Sequence, residues 1–150
     1  MVNETVVVFG ASGFLGSHVA DALSAAGYRV RLFDRSPSPY LKSNQEMIIG
    51  DIMNLDQVIE AAKGTSIVYN FAAIADIDEA NDKPIPTATI NVLGNMHALE
   101  AARIAGVRRF VFASSVYVYS ESGSFYRASK QASERFTETY HERYGLDYSI

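Results

Sequence analysis

Five short runs of apolar residues punctuate the chain, and each is nearly unbroken where an exposed strand would alternate with polar positions. They are Glu4–Phe9, Tyr28–Phe33, Glu46–Ile49, Ser66–Phe71 and Arg109–Ala113, rich in β-branched and aromatic side chains. Continuous apolar runs of this length are the pattern of strands covered on both faces, as in a parallel sheet. Between them lie stretches with helical periodicity, at about 13–26, 54–63, 85–105 and 125–144. Gly27, Gly64, Gly106 and Gly145 follow these four stretches, where glycine relieves the left-handed turn that ends a helix. Strands and helices alternating over short connections predict βαβ units and an α/β fold with a doubly wound parallel sheet. A further stretch, Leu146–Ile150, reads as the start of another strand. A buried strand does not usually stop with its backbone unpaired, so the 150 residues are expected to be the N-terminal fragment of a longer chain.

Composition narrows the function classes. At 48% apolar and 20% charged, 150 residues suit one domain with a core that needs no staples. The absence of cysteine removes disulfides, thiolate metal sites and thiol nucleophiles. His18, His97 and His141 are too scattered for a zinc cage. A net charge of −4 argues against a nucleic-acid partner. No apolar run approaches the ~20 residues that span a bilayer, and the opening MVNETVVVFG lacks a signal-peptide layout. By exclusion the protein is expected in the cytoplasm, away from membranes.

Candidate chemistry begins after the first strand. Gly10-Ala11-Ser12-Gly13-Phe14-Leu15-Gly16 opens directly into a helix. Glycines here permit a tight turn and close backbone approach, and the helix N-terminus offers free N–H groups and a positive dipole end to a pyrophosphate. The spacing is G-x-x-G-x-x-G, a variant of the usual dinucleotide pattern. Asp34 ends the second strand (RVRLFD), where such a fold places an acid to accept hydrogen bonds from ribose hydroxyls. Its charge disfavours a 2′-phosphate, so NAD is preferred, although Arg35 beside it leaves NADP open.

The fifth run delivers Ser115 near the edge where ligands bind in these sheets. Tyr126 and Lys130, four residues apart in a helical stretch, share a face. An ammonium beside a phenol favours the phenolate, which a phenolic general base requires, and a nearby hydroxyl can hydrogen-bond the reacting oxygen.

Taken together these residues resemble the extended short-chain dehydrogenase/reductase family, in particular its NAD-dependent sugar-nucleotide epimerases and dehydratases. The resemblance runs through essentially all of the sequence and implies a Rossmann-type domain over 1–150, with a substrate domain to follow. On it, Gly10, Gly13 and Gly16 form the glycine loop, and Phe14 and Leu15 add backbone contacts to the pyrophosphate. Asp34 takes the ribose, and Asp51-Ile52 flank the adenine. Asn70-Phe71-Ala72-Ala73 lie under the nicotinamide ribose, and Asn91 matches the family's helix asparagine. Ser115, Tyr126 and Lys130 match the catalytic trio, Tyr126 and Lys130 touching the cofactor as well. The implied activity is 4-epimerisation of a nucleotide sugar through a transient 4-keto intermediate. A reductase or dehydrogenase of the same fold, or a non-catalytic nucleotide sensor, remains as an alternative. The resemblance further implies a homodimer built on the 85–105 and 125–144 helices.

Departures from the family pattern set further expectations. Ser115 and Tyr126 stand only 11 positions apart, closer than the family usually has them, which bears on the sugar pocket. Arg127 replaces a frequent glycine and is expected to face solvent in preference to the substrate. Val116 and Tyr117 occupy positions that are Asp-Glu in the family's 4,6-dehydratases, so water elimination is not expected. Tyr117 and Tyr119 are expected either to line the pocket or to pack at its edge. Asp76, Asp78, Glu79 and Asp82 read as a solvated connection before Pro84, and His97 as a helix-face residue without a catalytic part.

Overall fold

The computed structural model describes residues 4–150. Six parallel strands form one sheet: β1 (Thr5–Phe9), β2 (Arg29–Asp34), β3 (Gln45–Ile49), β4 (Ile67–Asn70), β5 (Arg109–Phe112) and β6 (Tyr148–Ser149). Their order across the sheet is β3-β2-β1-β4-β5-β6, so the first strand sits at the centre and the chain winds outward in both directions. That is the doubly wound, Rossmann-type arrangement.

The unbroken run in β1 has a direct explanation. Val7 and Phe9 point into a core under α2 (Leu55–Ala62) and α5 (Gly94–Ala105), where they meet Val58, Ala61, Leu99 and Phe110. Val6 and Val8 point the other way, under α1 (Phe14–Ala25), and meet Ala20, Val30 and Leu32. Val6, Val7, Val8 and Phe9 are fully buried. A polar residue on either face would therefore lose water without gaining a partner.

Helices differ from expectation in two places. The acidic stretch holds a short helix, α3 (Ile77–Asp82), which Asp76 caps by accepting the Glu79 N–H at 2.8 Å. The expected 85–105 helix is continuous in path but has three parts: α4 (Pro84–Ala88), a π-turn over Thr89–Leu93, and α5. The last helix, α6 (Ser124–Tyr144), and a 3₁₀ turn (Val116–Tyr119) before it complete the chain's helical elements among the described residues. Leu146–Ile150 contributes only the two-residue β6, paired with Phe110 and Val111.

Candidate active site

The C-terminal ends of β1, β2 and β4 surround a cleft. It exists because the connections from β1 and β4 leave toward opposite faces of the sheet. Gly10, Gly13, Asp34, Arg35, Asp51, Ile52, Phe71, Ala72 and Ala73 line it. The structure thus brings together most of the residues the sequence singled out for a dinucleotide.

Close approach explains two of the glycines. Gly10 has φ +75°, and a Cβ there would lie 2.6 Å from Ala72 N. At Gly16 a Cβ would lie 2.2 Å from Gly10 O, so α1 could not seat against the loop. The first turn of α1 has no side-chain cap, which leaves its amides, those of Phe14, Leu15 and Gly16 among them, to an anion. The Phe14 and Leu15 side chains are exposed.

Asp34 is fixed by backbone donors: Ser12 N–H reaches its Oδ2 at 3.0 Å and Ser36 N–H its Oδ1 at 3.3 Å. Each oxygen keeps acceptor capacity for a ribose hydroxyl. Ile52 is buried, and its carbonyl lies 2.9 Å from His97 Nδ1. That bond requires the proton on Nδ1, so His97 pins the turn after β3 that lines the cleft, a role its sequence context did not signal. Asp51 Oδ1 accepts the Met53 N–H at 2.9 Å and shapes the same turn.

Asn91 sits inside the π-turn, buried, and does not line the cleft. Its Oδ1 accepts the Ile74 N–H at 2.7 Å, and its Nδ2 donates to Ile74 O at 3.0 Å and Ser129 Oγ at 2.9 Å. With every polar atom of the side chain occupied, Asn91 ties the wall of the cleft at Ile74 to α6. Asn70, also buried, donates to Asn95 Oδ1 at 2.8 Å and accepts the Ala72 N–H at 3.1 Å. Asn95 had no flag in the sequence, since a lone asparagine within a helical stretch carries none.

Tyr126 and Lys130 share the buried face of α6. The Lys130 ammonium donates to Ala113 O at 2.7 Å and lies 5.7 Å from the centre of the Tyr126 ring. Burial pulls the Lys130 ammonium down to about 8. Ser115 caps the 3₁₀ turn, its Oγ accepting the Tyr117 N–H at 3.3 Å, which leaves the hydroxyl proton to donate elsewhere. Tyr117 stands edge-on to Tyr126, ring centres 6.4 Å apart, while Tyr119 is exposed.

Arg127 does not face solvent. It is half-buried, its Nη1 donates to Ser120 O at 2.6 Å, and its Nε is buried without a partner. The short connection from Ser115 folds back over the first turn of α6, through left-handed Gly123 (φ +97°) and Ser124 (φ +41°). It thereby covers Arg127.

A family model, the NAD dependent epimerase/dehydratase family, matches residues 6–150. The chain belongs to this family. Among relatives of this family member, the UDP-glucose 4-epimerase of Rhizobium leguminosarum bv. trifolii is 34% identical over 124 residues, covering 79% of this chain and 38% of the relative. The 3-beta-hydroxysteroid dehydrogenase of Mycolicibacterium neoaurum is 34% identical over 119 residues, covering 73% of this chain and 31% of the relative. The crystal structure of UDP-glucose 4-epimerase with UDP-glucose from Thermotoga maritima superposes with a TM-score of 0.89 at 26% identity, covering 96% of this chain and 53% of that one. That of the Thermus thermophilus UDP-glucose 4-epimerase complexed with NAD gives 0.87 at 29%, with 96% and 53% covered. The chain therefore spans about a third to a half of the length of these relatives.

Proposed function

We propose that the full-length protein is an NAD-dependent nucleotide-sugar 4-epimerase and that residues 1–150 are its cofactor-binding domain. The observation that carries this reading is the buried Tyr126–Lys130 pair set against Ala113, at the same sheet edge as a cleft whose glycine loop has no room for a Cβ at Gly10 or Gly16. The α1 amides and Gly10, Gly13 and Gly16 hold the pyrophosphate, Asp34 the adenosine ribose, Asp51 and Ile52 the adenine. Phe71, Ala72 and Ala73 lie under the second ribose, and Asn91 braces that wall through Ile74. Bound there, NAD supplies a reversible hydride acceptor.

The chain's own residues move the proton. Tyr126 removes it from the sugar C4 hydroxyl and returns it to the same oxygen once the keto sugar has presented its other face. Lys130 stabilises the phenolate and holds the nicotinamide ribose. Ser115 donates its free proton to the C4 oxygen as the carbonyl forms. The intact trio distinguishes this reading from a nucleotide sensor. Similarity to hydroxysteroid dehydrogenases supports a second reading, net oxidation or reduction of an alcohol by the same three residues. Val116 and Tyr117 supply no carboxylate pair, so water elimination is absent from either. The enzyme works in the cytoplasm as a homodimer joined through α5 and α6, without nucleic acid. Among the described residues no helix is long and apolar enough to cross a membrane.

The test is to incubate the full-length protein and NAD with UDP-, GDP- and dTDP-hexoses and follow products by mass and by sugar configuration. An epimer of unchanged mass with no net NADH is expected. Stoichiometric NADH selects the second reading, and a product lighter by one water refutes both. Tyr126→Phe lowers turnover by ~10²–10⁴, the usual worth of general base catalysis, with cofactor affinity little changed.

A further inference from the structure

Four side chains on α6 stand at i, i+3, i+4 and i+7 and therefore on one stripe: Arg127, Lys130, Gln131 and Glu134. All four end on the segment that carries Ser115. Arg127 donates to Ser120 O at 2.6 Å, Gln131 to Val118 O at 2.9 Å and Lys130 to Ala113 O at 2.7 Å. Glu134 accepts the Ser114 hydroxyl at 2.6 Å, the length of a charge-assisted bond. The segment has little else to hold it. No residue of its 3₁₀ turn is buried, and Val116 and Tyr119 are 78% and 90% exposed. Apolar packing reaches it only through Tyr117, edge-on to the Tyr126 ring with centres 6.4 Å apart. The hydrogen bonds hold it on both sides of Ser115.

We propose that Glu134 and Arg127 are positioning residues that bracket Ser115, fixing the 114–120 segment that carries its hydroxyl from its two ends. Glu134 acts through Ser114, the immediate neighbour of Ser115, on the strand side. Arg127 acts through Ser120, after the 3₁₀ turn, and Gly123 passes close to its stem, where a Cβ would lie 3.1 Å from Arg127 Cβ. The device suits a connection of only 11 positions between Ser115 and Tyr126. The helix that presents the base also aligns the hydroxyl, so the two cannot drift apart independently. Neither Glu134 nor Arg127 takes part in proton or hydride movement. The catalytic consequence rests on the proposed trio chemistry, whereas the bracket itself does not.

Two measurements on the full-length protein separate these. Amide hydrogen exchange across 114–120 reads the bracket without any turnover. It is expected to rise in Glu134→Ala and in Arg127→Ala, and to stay near wild type in Glu134→Gln, whose amide oxygen still accepts the Ser114 hydroxyl. Turnover with NAD and the sugar nucleotide that wild type accepts reads the consequence. Glu134→Ala and Arg127→Ala should each lower kcat about tenfold to a hundredfold, the scale of a catalytic group displaced by an ångström. KM and the NAD dissociation constant should stay within about twofold, and Glu134→Gln should recover most of the loss. Unchanged exchange in both alanine variants overturns the bracket. Raised exchange with unchanged kcat overturns its bearing on Ser115, and NAD affinity falling in step with kcat shows a general loss of fold instead. If wild type turns over no alcohol substrate, the proposed function fails while the exchange result still decides the bracket.

Discussion

Lys130 is a cation placed where water scarcely reaches: it is 4% exposed, its ammonium donates to one backbone carbonyl, and desolvation is the only cause of its lowered pKa of about 8. The unfolded chain holds that proton up to the ordinary lysine range, so between about pH 8 and 10.5 the unfolded state binds more protons than the folded one. Stability contributed at this residue therefore rises with pH across that window and is lowest at and below neutrality. In the cofactor-free protein, Lys130→Met should raise stability at pH 7 by about 1–2 kcal/mol, the relieved burial of charge less the lost bond to Ala113. The variant should also lack the wild-type gain of roughly 2 kcal/mol between pH 7 and 9.5. Urea unfolding at the two pH values checks both, and equal slopes with pH would remove Lys130 as the source. On the proposed function, that cost in stability is offset by what Lys130 does for the phenolate and the nicotinamide ribose.

Asn91 shows the same economy one level up, among elements. The π-turn of Thr89–Leu93 bulges the helix by a residue and turns an asparagine inward, where it joins β4's outgoing loop to α6. Asn91→Ala strands the Ile74 N–H and the other groups it served inside the protein. It should cost about 2–3 kcal/mol in thermal or chemical unfolding and weaken NAD binding; a loss below about 0.5 kcal/mol would mean water replaces the side chain at no cost. Much of this scaffold was legible beforehand because burial on both faces marks a strand with one signal, as Val6–Val8 show. The glycine loop was legible because Gly10 and Gly16 answer to steric limits that act within a few residues. What stayed hidden depends on distant partners. Helix α3 buries only Ala80 and reads as a polar loop, and the π-turn leaves no mark on a helical apolar pattern. Arg127 is covered by a connection whose path depends on left-handed Gly123 and Ser124. Asn95 gains meaning only when Asn70 arrives from β4.

At the scale of the whole molecule the cleft couples cofactor to stability. A ligand that binds only the folded chain at a hundred times its Kd adds about 2.7 kcal/mol. NAD should therefore raise the thermal midpoint of the full-length protein by several degrees, and NADP at equal concentration by much less, because Asp34 opposes the extra phosphate. The expected affinity gap is at least about tenfold, some 1.4 kcal/mol of like-charge cost. Asp34→Ala should narrow it, and calorimetric titration with both nucleotides checks the gap and its origin; equal affinities in wild type would reverse the assignment.

The recess is made by strand order, since the connections from β1 and β4 part to opposite sides and leave a gap wherever neighbouring strands diverge in this way. No particular side chain excavates it. Replacing residues on its rim therefore alters what the recess holds without closing the opening. Positions 10 and 16 are the exception, because a methyl group there pushes the floor itself out of place. The mouth has space for a changed side chain, and the floor at Gly10 and Gly16 has none.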